Sequence, residues 1–98
     1  MTLWKNCTCD IYYRNDNAEL NDPGYEVRLD GDELVISYEG EKGWVNYKGK
    51  DLGGGHYALR ADAVDGRAMM HRAPDAEIIE GCWEENGWFG MWRLHLIE

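Results

Sequence analysis

With 98 residues, the chain has the size of a single domain, burying about two-thirds of its unfolded surface around one core. Nineteen acidic against ten basic side chains give a formal charge of −9, which argues against direct nucleic-acid binding or docking on an anionic membrane through a positive surface. The excess serves solubility first, and it also suits a basic protein partner.

The first strand is predicted over Leu3 to Tyr13, with Leu3, Cys7, Cys9, Ile11 and Tyr13 on one face and Trp4, Asn6, Thr8, Asp10 and Tyr12 on the other. Lys5, Asn6, Asp10 and Arg14 interrupt any apolar run there, so neither a signal peptide nor a membrane span is expected and the chain reads as cytoplasmic. Arg14 to Pro23 is polar and holds Asn15-Asp16-Asn17 and Asn21-Asp22-Pro23-Gly24, the marks of a loop, with a short helical turn around Ala18 to Leu20. Tyr25 to Asp30 and Asp32 to Glu39 read as a hairpin through Asp30-Gly31. Tyr25, Val27 and Leu29 meet Leu34, Ile36 and Tyr38 on its dry face, and Arg28 lies opposite Glu33 on its wet one. A fourth strand is expected over Trp44 to Lys48, a fifth over His56 to Ala61 after Gly53-Gly54-Gly55, and a sixth over Arg67 to Arg72 after Asp65-Gly66.

Strands seven (Glu77 to Glu85) and eight (Trp88 to Ile97) flank Asn86-Gly87, a strong two-residue hairpin signal. Counting outward from that turn pairs Glu85 with Trp88, Trp83 with Gly90, Gly81 with Trp92, Glu80 with Arg93 and Ile79 with Leu94. Each indole is thereby set over a residue with no side chain. Eight short antiparallel strands with hairpin connections define an all-β class, an up-and-down meander barrel occupying 1–98, with a partly open curled sheet that dimerises as the alternative. The other face of the last hairpin, Ile78, Cys82, Phe89, Met91 and Ile97, is apolar enough for a subunit contact in a homodimer.

Gly81-Cys82-Trp83 with Arg93 resembles the Gly-x-Trp and arginine pairing of lipocalin-like (calycin) barrels, although in those families the motif opens the chain and here it is on the penultimate strand. The run from Gly54-Gly55-His56-Tyr57-Ala58-Leu59 through Gly81-x-Trp83-Glu84-Glu85 to Gly90-Met91-Trp92-Arg93-Leu94 also resembles small uncharacterised bacterial proteins. The resemblance implies a barrel fold and brings no assigned activity or cofactor.

Cys7 and Cys9 share a strand face and could approach one soft metal with Cys82 or a histidine, but the spacing is not that of a zinc pair and core packing is the simpler reading. Three cysteines do not make a disulfide framework. His56, His71 and His95 would support proton transfer only if one met Glu80 or Glu84 in a dry cavity. Lys48 to Gly55 lacks the hydroxyl and following helix of a phosphate loop. Glu84 and Glu85 point to opposite strand faces, and no catalytic residue, metal ligand or cofactor is assigned. Aromatic residues carry the remaining expectation. Tyr38, Trp44, Tyr57, Trp83, Trp88 and Trp92 are the candidate ligand-binding set, for a small apolar or aromatic molecule held by a non-enzymatic binding or interaction module. An acidic inhibitor that mimics nucleic acid toward a basic partner and a small barrel enzyme using a histidine and a carboxylate are the alternatives.

Overall fold

Alternation of apolar and polar residues along most of the strands, with turn residues between them, produces a sheet that is dry on one side and closes around that side. The computed structural model describes residues 1–98. Its strands are β1 (Thr2–Tyr13), β2 (Glu19–Asp30), β3 (Glu33–Gly40), β4 (Gly43–Asp51), β5 (His56–Ala61), β6 (Gly66–His71), β7 (Ile78–Glu85) and β8 (Trp88–His95). Each pairs antiparallel with its sequence neighbours, and β1 pairs with β8 to close the barrel. One turn of 3₁₀ helix, Asp62–Val64, joins β5 to β6, and no helix is long and apolar enough to cross a membrane.

The last hairpin has the register counted from its turn. Asn86 and Gly87 have φ of +50° and +84°, the left-handed pair of a type I′ turn whose twist matches that of the strands. Glu85 pairs with Trp88, Trp83 with Gly90, Gly81 with Trp92, Glu80 with Arg93 and Ile79 with Leu94. The glycines do more than make room for an indole. A Cβ on Gly81 would run into the Met69 carbonyl of β6, and one on Gly90 into the Tyr12 carbonyl of β1. At both positions, as at Gly49 on β4, the neighbouring strand lies too close for any side chain.

The amino-terminal third departs from simple alternation. Between Trp4 and Cys7 the β1–β2 register gains a residue on β1, and this bulge reverses the strand's phase. Trp4 therefore packs on the core, while Leu3, expected inward with Cys7, lies outward. The polar stretch before Tyr25 is not all loop, and no helical turn forms around Ala18 to Leu20. β2 begins at Glu19 and pairs with β1 through two further irregularities, near Asn21 and Gly24, whose φ of +56° and +88° accommodate the extra residues. The β2–β3 turn is centred on Gly31-Asp32, so Arg28 pairs with Val35 rather than Glu33 and reaches Glu33 only diagonally, at 4.0 Å.

The seam between β1 and β8 is held by more than its ladder. Asp10, almost buried, accepts a hydrogen bond from the Asn21 amide at 2.9 Å and meets His95 Nε2 at 2.9 Å. Those bonds, that to His95 first, hold its carboxyl below the usual range. The connections after β2, β4 and β6 lie at one end, which Trp4, Leu29, Leu34 and Leu96 fill from inside. There the Leu96 amide bonds the Glu77 carbonyl at 2.8 Å, the Asn6 amide bonds that of Ile97 at 3.0 Å, and Arg72 lies over the Trp4 ring at 5.2 Å. The other end is open.

Because Gly81 has no space for a side chain, Gly81→Ala is expected to destabilise the fold by roughly 1–3 kcal/mol, the usual cost of forcing a methyl into a packed site. In urea the midpoint should fall with an unchanged slope, and an unaltered midpoint would show that β6 and β7 are not packed this closely.

Candidate binding site at the barrel mouth

The open end is where the connections after β1, β3, β5 and β7 converge. Alternation brings Tyr13, Tyr25, Tyr38, Trp83, Trp88 and Trp92 to the inside of five different strands near this end, and together with Ile11, Glu85 and Asn86 they line a cavity of about 380 Å³. The rings pack against one another in the geometries aromatic quadrupoles prefer. Trp83 stacks on Trp92 with centroids 5.8 Å apart, and Tyr13 meets Trp83 edge-on at 5.8 Å. Trp92 in turn meets Tyr47 edge-on at 4.9 Å and Tyr38 at 6.4 Å. Below this layer the barrel is filled. Tyr47, Leu34, Ile36, Leu59, Met70, Ile79 and Leu94 are fully buried.

Glu85 anchors the polar side of the mouth. The hydroxyls of Tyr38 and Tyr47 both donate to its Oε1, at 2.6 and 2.7 Å, while Oε2 has no protein donor and is not sealed from solvent. Both phenols are pushed well above their ordinary ionisation range, by burial first and then by the Glu85 carboxylate that accepts their protons. Tyr25 shifts the same way, again mainly through burial, and its hydroxyl donates to Asp22 at 3.2 Å. The indole Nε1–H of Trp83 is the one buried side-chain polar atom without a partner.

Four of the six aromatic residues singled out in the sequence, Tyr38, Trp83, Trp88 and Trp92, meet at this mouth. Trp88 forms its rim and is 62% exposed. Tyr57 is buried toward the filled end, and Trp44 lies on the outer wall of β4, half exposed. Tyr13, Tyr25 and Glu85 complete the site and were not among the candidates. Glu85 was accessible by counting, since it shares its strand face with Trp83 and pairs with Trp88.

The other chemistry considered in the sequence lies elsewhere. Cys7 and Cys9 do share an inward face, but both are fully buried with thiols made harder to ionise by desolvation, and Cys82 is outside. No group of three or more His, Cys, Asp or Glu side chains is placed to hold a metal ion. All three histidines are on the outer wall, His56 meeting His71 across β5 and β6 with Nδ1 atoms 2.5 Å apart, and His95 meeting Asp10. Glu80 and Glu84 are outside as well, paired with Arg93 at 2.8 Å and Arg67 at 3.4 Å. In the glycine loop the Gly53 amide is taken by Asp51 at 2.7 Å.

A larger open groove of about 1010 Å³ crosses the outer wall over Ala58, Met69, Cys82, Met91 and Tyr12, which fall in one register row from β5 to β1. Phe89 borders it, whereas Ile78 and Ile97 of the expected contact face lie apart, near the filled end. The groove also reaches the core residues Leu59 and Ala68 and shares Tyr13 and Trp83 with the mouth, which gathers six aromatic side chains and one carboxylate in a smaller space.

The closed antiparallel meander is compatible with a lipocalin-like fold. No family model, curated protein or solved structure matches the chain.

The phenols also set an alkaline limit. Tyr25, Tyr38 and Tyr47 hold their protons in the folded barrel beyond the ordinary phenol value of 10.0, so the folded state binds those protons more tightly than the unfolded chain does. Their stabilisation is complete below pH 10.0 and is lost as pH rises above it toward the folded values. An alkaline titration should show tyrosinate absorbance from these residues appearing together with loss of β structure. Their ionisation in an intact barrel at ordinary phenol pH would contradict the site geometry.

Proposed function

We propose that this protein is a non-enzymatic binding module that takes a small ligand into the aromatic mouth of its barrel. The observation that carries this reading is the cavity of about 380 Å³ walled by six aromatic rings, with one carboxylate at its side and a filled core beneath. Its volume is at the lower end of the roughly 300–1,000 Å³ typical of small-molecule sites.

Neither alternative has comparable support. A histidine–carboxylate reaction centre needs its histidine in the cavity, and the three histidines lie on the outer wall. A nucleic-acid mimic needs one acidic face. Here the carboxylates divide between the two ends, with Asp16, Glu41, Asp62 and Asp65 at the mouth and Asp32, Asp75 and Glu77 at the other, while Glu33, Glu80 and Glu84 on the wall are paired with cations.

Trp88 offers the cleanest test because it is exposed and contributes little to the core. Trp88→Ala should leave the melting temperature within the small range of surface substitutions, about 0.5 kcal/mol in stability. The same variant should weaken by roughly tenfold any ligand found by screening small molecules against intrinsic tryptophan fluorescence, a loss of about 1.4 kcal/mol in binding. A broad metabolite panel that changes neither fluorescence nor melting temperature would remove the support for this reading.

A further inference from the structure

We propose that the mouth selects an organic cation, specifically a methylated ammonium head group; this rests on the reading of the mouth as a ligand site and names the chemistry it takes. Three independent observations converge. The first is the lining, which includes six aromatic side chains, Tyr13, Tyr25, Tyr38, Trp83, Trp88 and Trp92; aromatic rings attract a positive charge through the quadrupole and recognise quaternary ammonium groups.

The second observation is the polarity of what remains. No Lys, Arg or His lines the cavity, and its one acidic side chain is Glu85. The phenol hydroxyls at the mouth already donate to carboxylates, Tyr38 and the deeper Tyr47 to Glu85 Oε1, Tyr25 to Asp22 and Tyr13 to Glu19, and Glu85 Oε2 is left without a protein donor. The site thus offers a free carboxylate oxygen and aromatic rings to an incoming charge, its hydroxyl protons are spoken for, and its remaining donors, from Asn86 and the indoles, are neutral. A carboxylate or phosphate ligand would meet Glu85 with no compensating cation. A neutral apolar ligand would leave Glu85 facing it unpaired.

The third is the field at the entrance. The four connections around the mouth carry Asp16, Glu41, Asp62 and Asp65 against Arg14 and Lys42, and Arg14 is drawn onto the outer face of Phe89 at 4.7 Å. With −9 on the whole chain, this rim draws cations toward the opening. A methylated ammonium suits the rings better than a bare ammonium, because it has little hydration to lose and fills an apolar cage with methyl groups. The same head group occurs on free quaternary amines and on trimethylated lysine in a protein, and the mouth recognises what they share.

The test compares choline with its neutral isostere 3,3-dimethylbutan-1-ol, in which carbon replaces the quaternary nitrogen, by titration of tryptophan fluorescence and by calorimetry on the full chain. Choline is expected to bind at least tenfold more tightly than the alcohol. Glu85→Gln keeps an acceptor for both tyrosines and should remove most of that preference by weakening choline, with the alcohol bound as tightly as before or more so; Trp88→Ala should weaken choline without lowering the melting temperature. A peptide carrying trimethyllysine, set against its unmodified form, distinguishes the two sources: preference for the methylated peptide over choline assigns a protein partner, and the reverse assigns a free amine. Equal or tighter binding of the neutral isostere overturns the cation assignment and leaves the ligand site standing, as does binding of neutral aromatic molecules with none of choline. Choline binding that neither variant alters also overturns it, by placing the ion on the acidic surface. Failure of choline, the peptides and every neutral ligand removes the site itself.

Discussion

Closing eight strands on themselves fixes how much side chain the interior can hold. This chain meets that limit with large rings and no side chain at all in alternate places. Trp83 faces Gly90 and Trp92 faces Gly81 across the last hairpin, so each of the two stacked indoles is paired with a residue that has no side chain. The same glycines let β7 and β8 lie close against the carbonyls of β6 and β1. Core volume and sheet curvature are consequently settled by one set of pairings. The seam at Asp10 and His95, the stack on Tyr47 and the shape of the mouth all presuppose it.

That dependence explains why the final hairpin was so readable. A type I′ turn has one register, and each further pair follows by counting, so Asn86-Gly87 was enough to place Ile79 against Leu94 far from it. The first strand carries no such fixed point. Its bulge between Trp4 and Cys7 shifts the phase by one residue, and nothing in a strict period of two signals where that happens. Asn21, Asp22, Pro23 and Gly24 look like turn residues because β2 uses two of them in left-handed conformations, as irregularities inside a strand rather than as a loop. Local composition marks a special backbone angle; it does not say whether the ladder continues through it.

The site was legible in part for a related reason. Tyr38, Trp83 and Trp92 could be placed inward by alternation, and Trp88 follows from the turn. Which inward residues meet near one end depends on the tilt and stagger of eight strands together, and that is a property of the closed barrel rather than of any one segment. Tyr13 and Tyr25 reach the mouth for this reason, and Tyr57 does not. Glu85 is distinguished by company: an acidic residue on the dry face of a strand becomes tolerable when two buried phenols donate to it. The reading of Glu84 and Glu85 as a divergent pair already separated their roles, one to Arg67 on the wall and one to the cavity.

The packing of Trp4, Leu29, Leu34 and Leu96 at the far end makes the barrel a cup and not a tube. On the proposed reading, a guest would depart by the doorway it entered, past Trp88 at the rim. A shallow cup with a solid floor also has no room for the length of a tethered guest. On the proposed reading, a larger guest would enter by its tip and leave its body outside.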